Sequence, residues 1–92
     1  MFIINPSNNH WLIGKCIGKG AEHTVYAKGK YVYKIRRYKS SDIFDLIEFI
    51  IIYLRRRNSI PFQLPVKFAG LAYMDKHIYP IFKQLKTEPI NY

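Results

Sequence analysis

Ile17-Gly18-Lys19-Gly20-Ala21-Glu22-His23-Thr24-Val25-Tyr26 is the part of this 92-residue chain whose spacing could do chemistry. Two glycines two apart let a backbone approach a phosphate closely and turn its amides toward it. Lys34 follows within Tyr31-Val32-Tyr33-Lys34-Ile35, and a lysine there can reach the α- and β-phosphates of a nucleotide. Glu48, 14 residues later, could pair with Lys34 and hold its ammonium in place. Each feature also has a plainer reading. The loop alone could be a β-turn, Lys34 a solvated strand lysine and Glu48 a helix-surface acid, with Asp45 one turn earlier as the competing partner for Lys34.

The elements that would position these residues follow from pattern. Residues 1–10, with Pro6 and Ser7-Asn8-Asn9, read as a lead-in. In the first strand, from Trp11 to Ile17, Trp11, Ile13 and Ile17 share one face, and Leu12, Gly14 and Cys16 the other. A second strand spans Thr24 to Ala27 and a third Tyr31 to Arg37, joined at Lys28-Gly29-Lys30, where Gly29 can take positive φ. One helix then runs from about Asp42 to Arg57, capped by Ser40 or Ser41, with Asp42 and Asp45 in its first turn and Arg55-Arg56-Arg57 in its last. Its second half is apolar nearly all round, which predicts that two sides are covered or that one waits for a partner. Ile60-Pro61 and Leu64-Pro65 make an extended connection. A fourth strand spans Val66 to Tyr73 and a fifth Ile78 to Leu85, around a turn at Met74-Asp75-Lys76-His77. Pro80 leaves the first residues of the fifth strand incompletely paired. The fold class is therefore α+β: a five-stranded antiparallel sheet with one helix, in the order β-β-β-α-β-β. The domain would span 11–88, with 89–92 as a tail.

In this order, the segments resemble a protein-kinase N-lobe over roughly Trp11 to Lys86. In that family five antiparallel strands and one helix cover ATP from above. Gly18, Gly20, Val25, Lys34 and Glu48 match the glycine loop, its following valine, the strand-three lysine and the helix glutamate. The resemblance implies that Ile17, Val25 and Val32 roof the adenine and that Gln84-Leu85-Lys86 begins the hinge along its edge. The Gly-x-Gly-Ala-Glu-His-x-Val-Tyr wording also resembles the kinase-like domains of large polyvalent proteins of phages and mobile elements. The departures are substantial. His23 stands where the third loop glycine would be, and Lys34 follows Val25 by only nine residues. There is no His-Arg-Asp catalytic loop and no Asp-Phe-Gly metal site. Phosphoryl transfer needs positioned metal ions and a base, so the chain is not expected to be a kinase by itself, and no catalytic residue is assigned. ATP binding by an upper lobe alone would be weak, because the lower lobe supplies half of the adenine pocket.

Composition narrows the rest. The chain is 49% hydrophobic and 16% aromatic, too apolar for a disordered tail. A lone cysteine, Cys16, excludes an internal disulfide framework and reads as a small buried hydrophobe. His10, His23 and His77 lack metal-ligand spacing, so no metal is assigned. The N-terminus has no signal-peptide pattern and no apolar run approaches a membrane span, which predicts a cytoplasmic protein with no membrane partner. Fifteen basic against six acidic side chains give +9, which calls for an acidic partner.

Two contact modes compete. Phe49, Ile50, Ile51 and Ile52 present more apolar helix surface than a lone sheet covers, which predicts a protein interface. The partner would be a kinase, a kinase C-lobe or a second copy, and the chain a regulator, a decoy or antitoxin, or the complementing half of a kinase. Alternatively Lys28, Lys30, Lys34, Arg36, Arg37 and Lys39, interleaved with Tyr26, Tyr31, Tyr33 and Tyr38, form a basic stripe suited to single-stranded nucleic acid, with Arg55, Arg56 and Arg57 as a second patch. A small mobile-element inhibitor of a host defence system is compatible with either.

Overall fold

Two tight hairpins organise the sheet. In the first, β4 (His23–Lys28) returns as β5 (Tyr31–Arg36), with Lys28 opposite Tyr31 and Gly29 at φ 59° opening the two-residue loop. A positive φ at the first loop position is the type II′ geometry that glycine serves. In the second, β6 (Val66–Met74) returns as β7 (His77–Leu85) around Asp75 and Lys76, both at positive φ. The computed structural model describes residues 2–6, 9–59, 61 and 64–86. The tail at 89–92, Ser7-Asn8 of the lead-in and Ile60 of the Ile60-Pro61 break lie outside the described residues.

The protein is α+β, with the single described helix α1 (Ile43–Asn58) between β5 and β6. The sheet is larger than the expected five antiparallel strands. Among the described residues it has seven strands, in the order β1-β6-β7-β5-β4-β3-β2, and it is mixed. The additions come from the segment read as a lead-in. β1 (Phe2–Ile4) pairs parallel to β6, and β2 (Asn9–His10) pairs antiparallel to β3 (Gly14–Lys19). Gly70 makes the first of these possible, because a Cβ there would collide with the Phe2 carbonyl opposite it. Ile4, 5% exposed, belongs to the core.

That core lies on one sheet face and joins Ile4, Ile13, Tyr26, Ile35, Ala69, Ala72, Tyr79 and Ile81, with Cys16 packed against it. The face expected for the first strand is corrected. Residues 11–13 form a turn, Ile13 is buried alone, and Trp11 and Ile17 are 76% and 58% exposed. A bulge between Cys16 and Gly18 sets Ile17 outside the regular pairing. Pro80 sits where β7 is paired only to β6, because the β5 pairing stops at Ile81. Its missing N–H is therefore tolerated.

The other face carries α1. Tyr53 stacks on Phe82 at 4.2 Å between centroids and Phe49 on Tyr38 at 4.0 Å. Asn58 clasps the helix end to β6, donating to the Val66 carbonyl (3.0 Å) and accepting from its amide (2.7 Å). The cap is Asp42 rather than Ser40 or Ser41: its carboxylate accepts from the Asp45 amide at 2.8 Å.

Candidate functional site

Register settles which side chains share the face beneath the helix. Val25 lies opposite Lys34, Ala27 opposite Val32, and His23 opposite Arg36. Cross-strand partners point the same way, and so do residues two apart on one strand. Val25, Val32 and Lys34 therefore fall on one face together with His23 and Arg36. Ile17, at its bulge, is exposed.

The glycine loop closes on itself. The Gly20 amide donates to the His23 carbonyl at 2.7 Å, so this donor is used within the turn. Neither Gly18 nor Gly20 has a positive φ, and a Cβ on Gly18 would meet nothing within 4 Å.

Lys34 and Glu48 are not brought together. Among the described residues the one ion pair is Arg36 Nη1 to Glu22 Oε2, at 3.0 Å. Glu48 is exposed on the outer side of α1. Asp45, the competing acid, is occupied by the Tyr38 hydroxyl at 2.9 Å and the Ser41 amide at 2.9 Å. These donors hold the Asp45 carboxyl below the usual carboxylate range, the Ser41 amide most of all, and the shared hydrogen bond raises the Tyr38 phenol. The residue that faces Lys34 from the helix is Arg57. Burial first, and then the Arg57 charge, push the Lys34 ammonium below its ordinary value. His23 is depressed likewise, by burial and then by Arg36, Lys34 and Arg57, with Glu22 opposing. Buried nitrogens without a hydrogen-bond partner among the described residues are His23 Nε2 and the Nε atoms of Arg36, Arg37 and Arg57.

The expected helix interface also shifts around the axis. Phe49 and Ile50 are half-buried, Phe49 beneath Tyr38 and 5.9 Å from the Arg36 guanidinium. Ile51 and Ile52 remain exposed, and the outer stripe continues through Ile47 to Ile43 and Phe44, which is 78% exposed. Ile43, Phe44 and Ile47 lie outside the interface expected at Phe49 to Ile52, because a helix apolar nearly all round does not reveal which side meets the sheet.

The basic stripe is dispersed. Lys28 and Lys30 lie at the hairpin end of β5, while Arg36 closes its other end, about 17 Å away at the usual strand rise, and Arg37 and Lys39 follow beyond it. Arg36 faces the helix. Arg37 lines a cavity of about 400 Å³ with Pro6, Lys19, Thr24, Tyr26, Met74 and Asp75. Arg55 and Arg56 are exposed, whereas Arg57 turns inward. A different basic group gathers on the face away from the helix, near the Gly29 hairpin. Tyr33, Lys83 and Lys67 are aligned across three strands. The Lys83 ammonium stands 4.9 Å over the Tyr31 ring, and Lys28 lies over exposed Trp11. The signal that could have found Lys67 and Lys83 is their position on opposite arms of the β6–β7 hairpin.

Among the described residues no group of three or more His, Cys, Asp or Glu could hold a metal ion, and no helix is long and apolar enough to cross a membrane. No family model, curated protein or solved structure matches the chain.

Proposed function

We propose that this chain is a kinase-N-lobe-like module, not catalytic by itself, that works by binding another protein through the outer face of α1. The observation that carries the reading is the apolar stripe of Ile43, Phe44, Ile47, Ile51 and Ile52, all exposed on a helix whose opposite side is already packed on the sheet. Five central antiparallel strands, with the helix inserted between the third and fourth of them, support the kinase-like part. The separation of Glu48 from Lys34 favours binding over phosphoryl transfer. The occupant is a different protein with an apolar groove rimmed by carboxylates. Arg55 and Arg56 are exposed at one end of the stripe, and a second copy would bring +9 against +9. Such a contact suits a regulator, a decoy or antitoxin, or the complementing half of a kinase.

The test combines light scattering with affinity capture. The isolated chain should be monomeric. The wild type should retain one acidic protein stoichiometrically, and both Phe44→Asp/Ile47→Asp and Arg55→Glu/Arg56→Glu should lose it while circular dichroism is unchanged. A dimer abolished by Phe44→Asp, or capture indifferent to both variants, would overturn the reading.

A second reading has its own observation. Lys28, Lys67 and Lys83 with Trp11, Tyr31 and Tyr33 make a basic aromatic surface away from the helix, of the kind that stacks and neutralises single-stranded nucleic acid.

A further inference from the structure

The last turn of α1 and the strands beneath it concentrate positive charge around a single carboxylate. His23 and Arg36 are cross-strand partners, and Lys34 lies two residues before Arg36 on the same face. Lys34 is paired in register with Phe82, on which Tyr53 stacks, and Arg57 follows Tyr53 by one helical turn. The one described carboxylate that enters is Glu22, itself 68% exposed and bound to Arg36. Buried polar atoms in folded proteins are nearly always hydrogen-bonded. Of the four described buried nitrogens that lack a partner, three belong here: His23 Nε2, Arg36 Nε and Arg57 Nε.

We propose that this cluster is an oxyanion site, seating a phosphate-type dianion between Arg57, Lys34 and His23, with Arg36 at its far side. A tetrahedral dianion offers acceptors to all four side chains at once and offsets the mutual repulsion of the cations. Arginine binds such groups through paired N–H donors. The four side chains are half-buried rather than sealed, so the cluster borders solvent, although the three unpartnered nitrogens are themselves buried. The kinase resemblance assigns Lys34 to a nucleotide, with Glu48 as counter-charge. Here Arg57 occupies that place, so the site selects for the dianion and needs no surface for a base. The inference is independent of the proposed interface, which lies on the opposite side of α1.

The full-length chain should be titrated with inorganic phosphate against sodium chloride at matched ionic strength, following its melting temperature and the His23 imidazole by NMR. Phosphate should give saturable stabilisation that chloride does not. It should also raise the His23 pKa, as Glu22 already does, against the depressing charges of Arg36, Lys34 and Arg57. Arg57→Gln should weaken phosphate binding roughly tenfold, the usual worth of a charged hydrogen bond, and Lys34→Gln should do so independently. Arg55→Gln, in the same turn but facing solvent, should have no effect. Tripolyphosphate and ATP, both without magnesium, should bind alike. Equal stabilisation by chloride, equal behaviour of the Arg57 and Arg55 variants, or ATP binding far more tightly than tripolyphosphate would each overturn the proposal.

Discussion

His23 is the residue whose surroundings give the sharpest pH dependence. Burial and three neighbouring cations hold its imidazole below the ordinary value, so the unfolded chain binds its proton more readily than the folded one. The stability this contributes is present above the ordinary imidazole pKa. It is lost as pH falls toward the depressed folded value. The urea midpoint should therefore decline between about pH 7 and pH 5, and His23→Gln should flatten that decline. An unchanged slope in the variant would show that other groups carry it. Asp45 acts in the same direction at lower pH, because its depressed carboxyl is held by Ser41 and Tyr38 and the stability of those bonds is lost as it is protonated.

At the level of elements, the junction of β1 with β6 depends on an absent side chain. A Cβ on Gly70 would overlap the Phe2 carbonyl. Gly70→Ala should destabilise the protein by roughly 1–3 kcal/mol, the usual scale for overpacking, and the amides of Ile3 and Ile4 should exchange faster. Gly18→Ala, where an added Cβ meets nothing, is the matched control and should stay within about 0.5 kcal/mol of wild type. Equal losses in both would mean that the close approach to Phe2 is not what Gly70 serves. The helix shows the same dependence on neighbours. Its end is set by the Asn58 clasp on Val66 as much as by its own sequence.

For the whole molecule, the excess of positive charge is divided between faces. The arginines and Lys34 under α1 form one group. Lys28, Lys67 and Lys83, with their aromatic neighbours, form another on the reverse side. If the second surface binds single strands, affinity for a short oligonucleotide should fall steeply with salt. Lys67→Glu/Lys83→Glu should reduce it by an order of magnitude or more, and Tyr31→Ala should cost a further stacking contribution of about 1–3 kcal/mol. Fluorescence anisotropy at two salt concentrations reads both. Binding lost instead in Arg36→Glu/Arg37→Glu, with Lys67 and Lys83 indifferent, would return the contact to the stripe expected from sequence.

Local chemistry determined the order of the central strands and the helix. Gly29 marked one hairpin, the acidic start and basic finish marked the helix, and Pro80 found the stretch of β7 that lacks a second neighbour. These signals act over a few residues and need no knowledge of the far side of the chain. Tertiary packing decided the site. Glu48 and Arg57 are nine residues apart, about two and a half helical turns, so they lie on opposite sides of α1 and only one can face Lys34. With apolar residues nearly all round the helix, periodicity could not choose between them. The aromatic contacts of Phe49 and Tyr53 with Tyr38 and Phe82 did. The β6 register also shifts between Phe68 and Gly70, which sets Lys67 opposite Lys83 instead of Gln84. A one-residue shift of that kind leaves no trace in strand propensity, yet it decides which face a side chain serves. The pairing of β1 was hidden for a related reason. Three residues ahead of a polar stretch carry little signal alone, and they become a strand only because Gly70 leaves room beside β6.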